Sequence, residues 1–581
     1  MLGPGRSIYR RSRSITINKP SASKFSRMVI YYDRYRKINE FNGRMYDSRG
    51  NLIKKLKKSD IIDVKSSDGS TLYDDNRVMS YEFHNNNYPY TIEFEFEIEQ
   101  KSTYIIPSWF PYPDWNVSVK ESTYMIITPR GYKINYRLLN DLANPEIIED
   151  NNIIMHWSIK DLPFLENEDF SPTLSEVSPG VIAAHKEFKI HGNIGDMISW
   201  QSFGKLFNNL NEGRDIIPTK TKDQLKQLTS DASIKQKIDM VYKYVQNNTR
   251  YVSIQLGIGG LQPFPAEVVD DLGYGDCKAL TNYTCSLLKA VGIPSHYTLV
   301  YGGSNPPEIY PDFPYDAFNH VILCVPVNSD TIWLECTDQR SPTNFLGSFT
   351  DDRYALLIAE SGGKLVKTPF YGQEDNLQIR NATVNINNDG NATMSCKTVY
   401  SNLQSEKMLP ILYADNEDRE DRLYKRIRIP NFSIISSELI GNEENPAIEE
   451  NLELALPSYT AKVGSRLMFK PNLMNKWDFS LDTDEERKYD VITTYAYTDI
   501  DSIHFTLPSG YALESIPKDT IITSTFGYYE NRYIKDDNSI LYTRIIKTNK
   551  TRKPKEHYPN LVKFLNGISR NDNMSIILKK R

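Results

Sequence analysis

Gly273–Pro294 reads GYGDCKALTNYTCSLLKAVGIP, and its fifth residue decides how the middle of the chain is understood. Cys277 directly follows Gly-Asp and stands before a segment whose apolar spacing predicts a helix over Lys278–Val291, closed by Gly292 and Pro294. The N-terminus of a helix favours a thiolate through its unpaired amides and its dipole. Gly273 and Gly275 let the backbone turn sharply beside it and let a substrate chain come close. A plainer alternative is a small residue buried at a helix start, because free cysteine is among the most buried residue types.

Downstream residues bear on that choice. His320 opens the apolar strand of YDAFNHVILCVPV, where an imidazole packs no better than Leu or Val, and Asp338 ends the next strand in TIWLECTDQR. Alone, each has an ordinary explanation: a satisfied structural histidine, a turn-forming aspartate. A hairpin joins them if its loop is Asn328-Ser329-Asp330. Val327 then pairs with Thr331, and His320 falls directly opposite Asp338 on one face of the sheet. A carboxylate there would orient the imidazole towards the thiolate. A two- or four-residue loop would put the two on opposite faces.

With GYGDCKALTNYTCSLLKAVGIPSHYTLV, FNHVILCV and WLECTDQ in that order, the chain resembles the transglutaminase-like superfamily of papain-related cysteine enzymes. More closely, it resembles a bacterial group in which this core lies between a leading β-sandwich domain of unknown function and a trailing β domain. The resemblance implies Cys277 as nucleophile, His320 as general base and acid, and Asp338 as the group orienting His320. Members often carry an acidic residue two positions after the cysteine; here Ala279 stands there, and whatever contact that acid makes is missing. An oxyanion donor is sought in YVSIQLGIGGLQPFPAEVV, with Gln262 first and Gln255 second. Gln262 precedes Pro263 and could equally bond a turn. Cys336 is read as a small packing residue and Cys285 as buried.

The rest of the chain fits a multidomain α+β protein. At 581 residues it exceeds the roughly 250–300 at which single cores stop growing. The boundaries are set at 1–190 for a β-sandwich domain, 191–372 for the cysteine core and 373–581 for a second β-rich domain. Alternation marks strands at Ser7–Ile17, Tyr90–Glu99 and Val117–Ile127, with turns at DSRGN (Asp47) and SDGS (Ser67). The loop IPSWFPYPDW is read as a packed aromatic corner, with a ligand surface as the alternative. Helical spacing appears at Met197–Leu210 and Ile234–Val245, the latter capped by Asp231 or Ser233. Strands then follow at Ser295–Tyr301, His320–Val327, Thr331–Cys336 and Tyr354–Ile358. Past residue 373 alternation resumes around an Asn-Asp-Gly turn and at SIHFTLPSGY and SILYTRII, interrupted by a charged, partly helical insertion at Glu406–Ile427.

With 69 Lys+Arg against 74 Asp+Glu and a net charge of −5, nothing in the charge balance asks for nucleic acid or an anionic membrane. No run of about 18 apolar residues predicts a membrane span. Five cysteines without C-x-x-C argue against a disulfide framework or a zinc site, so neither metal nor cofactor is expected. The first residues carry positive charge but no apolar h-region. The sequence is therefore expected to start inside the first domain, and a periplasmic or cell-surface location rests on the resemblance alone. The function expected is cysteine-dependent acyl transfer on peptide or amide bonds, with water or an amine as acceptor and a peptide or protein as substrate. The alternative is a retired core serving as a peptide-, glycan- or protein-binding scaffold.

Overall fold

The computed structural model describes residues 1–3, 5–66, 71–74, 76–255, 257–442, 444–483 and 486–581. The turn expected at Ser67 lies outside them. Two compact units form, one comprising Met1–Leu165, Leu174–Asn344 and Arg353–Thr368, the other Glu166–Thr173, Phe345–Asp352 and Pro369–Arg581.

In the first unit, alternating sequence becomes half-buried strand. Ser7–Ile17 pairs along its whole length with Tyr90–Gln100, which pairs in turn with Arg36–Tyr46. The alternate side chains Tyr90, Ile92, Phe94, Phe96 and Ile98 face inward onto Met28, Ile30 and Phe83. A second β layer pairs Val119–Pro129 with Asn152–Leu162 around the buried Trp157. The aromatic loop packs there as a corner: Trp109 stacks on Tyr124 and donates its indole N–H to Ser122 at 3.0 Å.

Five antiparallel strands form the central sheet of this unit. Their order is Asp330–Leu334, His320–Val327, His296–Val300, Tyr354–Ala359 and Gly362–Lys367. The helix Cys277–Ala290 packs on His320–Val327, and Trp200–Asn211 packs on the last two strands. Trp200–Asn211 starts at a capping box made by Ser199 and Ser202, and Ile234–Asn248 at one made by Ser233 and Gln236. The short helices Thr219–Leu228 and Ala266–Leu272 escape pattern reading because each is preceded by proline and lacks a side-chain cap.

In the second unit an eight-stranded sheet contains the hairpin Leu377–Ile386/Ala392–Ser401 and the strands Tyr497–Thr506 and Ser539–Thr548. It shares a core with a four-stranded sheet through Val384, Leu454, Phe505, Leu467 and Leu578. The charged insertion at Glu406–Ile427 forms the helices Leu409–Leu412 and Asn416–Arg426, just after the short helix Leu403–Glu406. Arg544, fully buried, meets both carboxylate oxygens of Asp572 at 2.9 and 2.8 Å, and Asp501 pairs with Arg380 at 3.0 Å. Removing Asp572 would leave the buried Arg544 charge only Asp501, 3.6 Å away and already shared with Arg380, in low dielectric. Asp572→Ala is expected to destabilise this unit by about 3–5 kcal/mol, read as faster amide exchange across Ser539–Thr548. A loss below about 1 kcal/mol would place the pair with ordinary surface ion pairs.

Among the described residues no helix is long and apolar enough to cross a membrane.

Candidate active site

Two glycines bring the chain to Cys277. Gly273 ends Ala266–Leu272 at φ +65, a conformation that L side chains rarely adopt, and donates its N–H to Val269 at 2.9 Å. A Cβ on Gly275 would stand 2.8 Å from that of Ala279, so the chain can double back into the next helix only with glycine there. The Arg250 and Val252 amides donate to the Gly273 and Gly275 carbonyls at 3.0 and 2.9 Å, fixing the approach. Asp276 then caps Cys277–Ala290 by accepting the Ala279 N–H at 2.9 Å. Cys277 is the first residue of that helix, 6% exposed, where an amide has no intrahelical acceptor.

His320 opens its strand opposite Val300. The Thr281 hydroxyl of the Cys277 helix donates to the neighbouring Val321 carbonyl at 3.3 Å, holding helix and strand in register. Nε2 of His320 lies 2.9 and 3.1 Å from the two carboxylate oxygens of Glu335. That leaves Nδ1 for the Cys277 thiol, which acts on the ring as a hydrogen-bond partner. The structure thus brings Cys277 and His320 together and supplies Glu335, not Asp338, as the carboxylate.

The expected hairpin is corrected by one residue. Val327 pairs with Asp330, so the loop is only Asn328-Ser329, with Asn328 at φ +54 as a two-residue turn between twisted strands requires. A one-residue change flips the face of every side chain on the second strand. Extending the observed pairing puts Glu335 opposite Ile322, on the face shared with His320. Asp338 instead caps a turn: its carboxylate accepts the Arg340 N–H at 2.9 Å, and its carbonyl accepts the Gln246 amide at 3.0 Å.

Glu335 is itself held from three sides. The Thr337 hydroxyl and amide donate to its carboxylate at 2.5 and 3.2 Å, and the Tyr242 hydroxyl donates to its carbonyl at 2.8 Å. Burial alone would raise this carboxyl, but the His320 charge and the Thr337 donors outweigh it and keep the group below its ordinary 4.5. Burial likewise pulls His320 down; the Glu335 charge and the Cys277 thiol outweigh it and raise the ring to about 10. An imidazole that keeps its proton beside a thiol favours the thiolate–imidazolium form.

Gln262 does not serve as expected. Its amide nitrogen donates to the Leu210 carbonyl at 3.0 Å, and Gly260 and Leu261, not Gln262, line the pocket at Cys277. The side chain of Gln255 lies outside the described residues. Cys336 is a buried packing residue whose thiol burial pushes up to about 12. Cys285 takes a hydrogen bond from Ser295 at 3.2 Å, and burial raises its thiol too.

The pocket brings in side chains that local sequence did not single out. Lys278 pairs with Asp276 at 2.5 Å, both buried; burial would lower it, but Cys277 and Asp276 hold it above the usual lysine range. Tyr297, 5% exposed, also lines the pocket, and its buried hydroxyl has no hydrogen-bond partner among the described residues. Burial first, and the Cys277 charge second, raise that phenol well above its ordinary value. Asp316 lines the same pocket. Nothing local marks these three; a lysine after the motif cysteine, a tyrosine in a strand and an aspartate in a loop gain meaning only when the sheet assembles.

Two family models match the chain, each for a domain of unknown function with a solved structure: DUF3857 over residues 3–166 and DUF3858 over residues 465–578. No curated protein sequence matches it. A solved structure from Parabacteroides distasonis, named as a candidate protease, superposes with a TM-score of 0.62 at 16% identity, covering 99% of this chain and 96% of that one. The chain therefore shares that fold along essentially its whole length. A candidate cysteine protease from Cytophaga hutchinsonii gives a TM-score of 0.18 at 10% identity, covering 57% of this chain and 78% of its own. The periplasmic domain of TgpA from Pseudomonas aeruginosa gives 0.17 at 12%, covering 52% and 87%. Neither of these two superpositions is close enough to define a shared fold.

Proposed function

We propose that this chain is a cysteine-dependent acyl-transfer enzyme of the transglutaminase-like kind, acting on peptide or amide bonds. The observation that carries the proposal is the buried constellation in which His320 holds Glu335 on one ring nitrogen and leaves the other for Cys277. A structural histidine needs a partner for its ring; it does not need a thiol at a helix N-terminus on the other side, opening into a pocket. The division into 1–190, 191–372 and 373–581, with the cysteine core in the middle, belongs to the same proposal. So does action in the periplasm or at the cell surface, on a peptide or protein.

In this mechanism Cys277 Sγ attacks the carbonyl carbon, with its proton held on His320. The tetrahedral oxyanion takes hydrogen bonds from the Cys277 amide and the Tyr297 hydroxyl. As the C–N bond breaks, His320 passes the proton to the leaving amine and a thioester remains. Water or an acceptor amine, deprotonated by His320, then attacks the thioester, and the C–S bond breaks to restore the thiolate.

The direct test is a p-nitrophenyl acetate burst, which reports acylation without knowledge of the natural substrate. A peptide-cleavage and amine-incorporation screen would follow, with Cys277→Ala as control. A burst that survives Cys277→Ala removes the proposal.

Tyr297 is assigned as oxyanion donor because a buried hydroxyl without a partner costs free energy that a phenylalanine would avoid. Tyr297→Phe should slow acylation by about 10²-fold, the usual effect of deleting one oxyanion donor. Alkylation of Cys277 by iodoacetamide, which passes through no oxyanion, should change little, and thermal stability should hold or rise. Equal acylation rates in the two proteins would return Tyr297 to a packing role.

A further inference from the structure

Asp316 stands in the loop before the His320 strand and lines the pocket that holds Cys277. It is half-buried, and one carboxylate oxygen accepts the Tyr104 hydroxyl at 2.8 Å. Among the described residues no Lys, Arg or His forms an ion pair with it. Of the two cations lining the same pocket, Lys278 is taken by Asp276 and His320 by Glu335. Much of the rest of the pocket lining is apolar, with Phe203, Phe207, Phe318, Leu261 and Leu299. Burial pushes its carboxyl up to about 6, with Tyr104 acting in the opposite direction.

A carboxylate kept in such a pocket without a counter-ion is costly. If tying the loop to Tyr104 were its whole task, Asn would accept the same hydrogen bond without the charge. What a carboxylate adds beside a nucleophile is recognition of a cation, and phenyl rings in the same pocket favour the same partner while covering its alkyl stem.

Building on the acyl-transfer reading, we infer that the pocket selects acyl donors carrying a protonated primary amine, which pairs with Asp316 while the scissile carbonyl meets Cys277. Two sources share that chemistry: a lysine-type side chain and a free α-amino terminus.

Matched p-nitrophenyl esters separate them. Nα-benzyloxycarbonyl-lysine ester is compared with its norleucine counterpart for the side-chain amine, and leucine ester with N-acetyl-leucine ester for the α-amine. For one pair the amine-bearing ester should acylate Cys277 with a kcat/KM at least about 10-fold higher, and Asp316→Asn should bring that ratio to about 1. On the unaltered protein, hexylammonium should inhibit the burst competitively where 1-hexanol does not, a readout independent of the variant's folding. The inference is overturned if neither amine-bearing ester is preferred, or if the preference survives Asp316→Asn in folded protein. Absence of any Cys277-dependent burst, with neutral esters included, would instead overturn the acyl-transfer reading beneath it.

Discussion

With Glu335 changed to Gln, acylation of Cys277 slows by about 10²–10⁴-fold, whereas with Asp338 changed to Asn it stays within about twofold. The difference follows from which carboxylate touches the ring. A glutamine in place of Glu335 would be nearly isosteric and could still hydrogen-bond Nε2, but it carries no charge to set against the positive ring. Burial, the largest single influence on His320 and a lowering one, would then be less opposed, and the ring would fall from about 10 towards the ordinary range. The Asp338 carboxylate meets the Arg340 amide and its carbonyl meets Gln246, so its replacement disturbs a turn at most. The measurement is the burst rate with p-nitrophenyl acetate in both variants. Equal losses, or a loss confined to Asp338→Asn, would restore the residue expected from the sequence.

Linkage gives this prediction a pH window. His320 is raised from 6.5 to about 10, so its stabilising contribution is fully present below 6.5 and is lost as pH rises through about 10. Glu335 is lowered from 4.5, so its contribution is present above 4.5 and is lost as pH falls through the depressed value. The wild-type protein should therefore show its full advantage over Glu335→Gln between about pH 4.5 and 6.5, and lose it progressively as pH rises from 6.5 through about 10 or falls below 4.5. A difference between the two proteins that does not change with pH would mean the pair is not ionised.

His320→Ala should cost about 10³–10⁴-fold in acylation by an amide substrate, because both the base for the thiol and the acid for the leaving amine disappear. Alkylation by iodoacetamide near neutral pH should drop as well, since the imidazolium that favours the thiolate is gone. The two readouts separate roles: alkylation, like acylation by p-nitrophenyl acetate whose phenolate leaves without a proton, needs only the thiolate, whereas acylation by an amide also needs a proton delivered to the departing amine. A variant that loses acylation by an amide but alkylates like wild type would make His320 an acid alone.

How far the site could be read from sequence depended on whether the governing interactions were local. The Cys277 helix was legible because Gly273, Gly275, Asp276, Gly292 and Pro294 are start and stop chemistry written beside it. Long alternating strands such as Ser7–Ile17 were legible for the same reason. The carboxylate was not, although Glu335 and Asp338 lie three residues apart. Its identity hangs on whether the hairpin loop holds two residues or three, and Asn328, which tolerates positive φ, resolves that only once the strands are paired. Gln262 was plausible in composition but is engaged by the Leu210 carbonyl, a partner 52 positions away. Tyr297 and Asp316 carry no local signal, because an orphan hydroxyl and a carboxylate without a counter-ion are properties of a finished pocket.

The most direct test of the account is peptide mapping of the acyl-enzyme formed from p-nitrophenyl acetate. The predicted result is one acetyl group on the peptide containing Cys277 in the wild type and in Asp338→Asn, with little or none on the same time scale in His320→Ala and Glu335→Gln. Acetylation located elsewhere, or equal labelling of Cys277 in Glu335→Gln and Asp338→Asn, would contradict it.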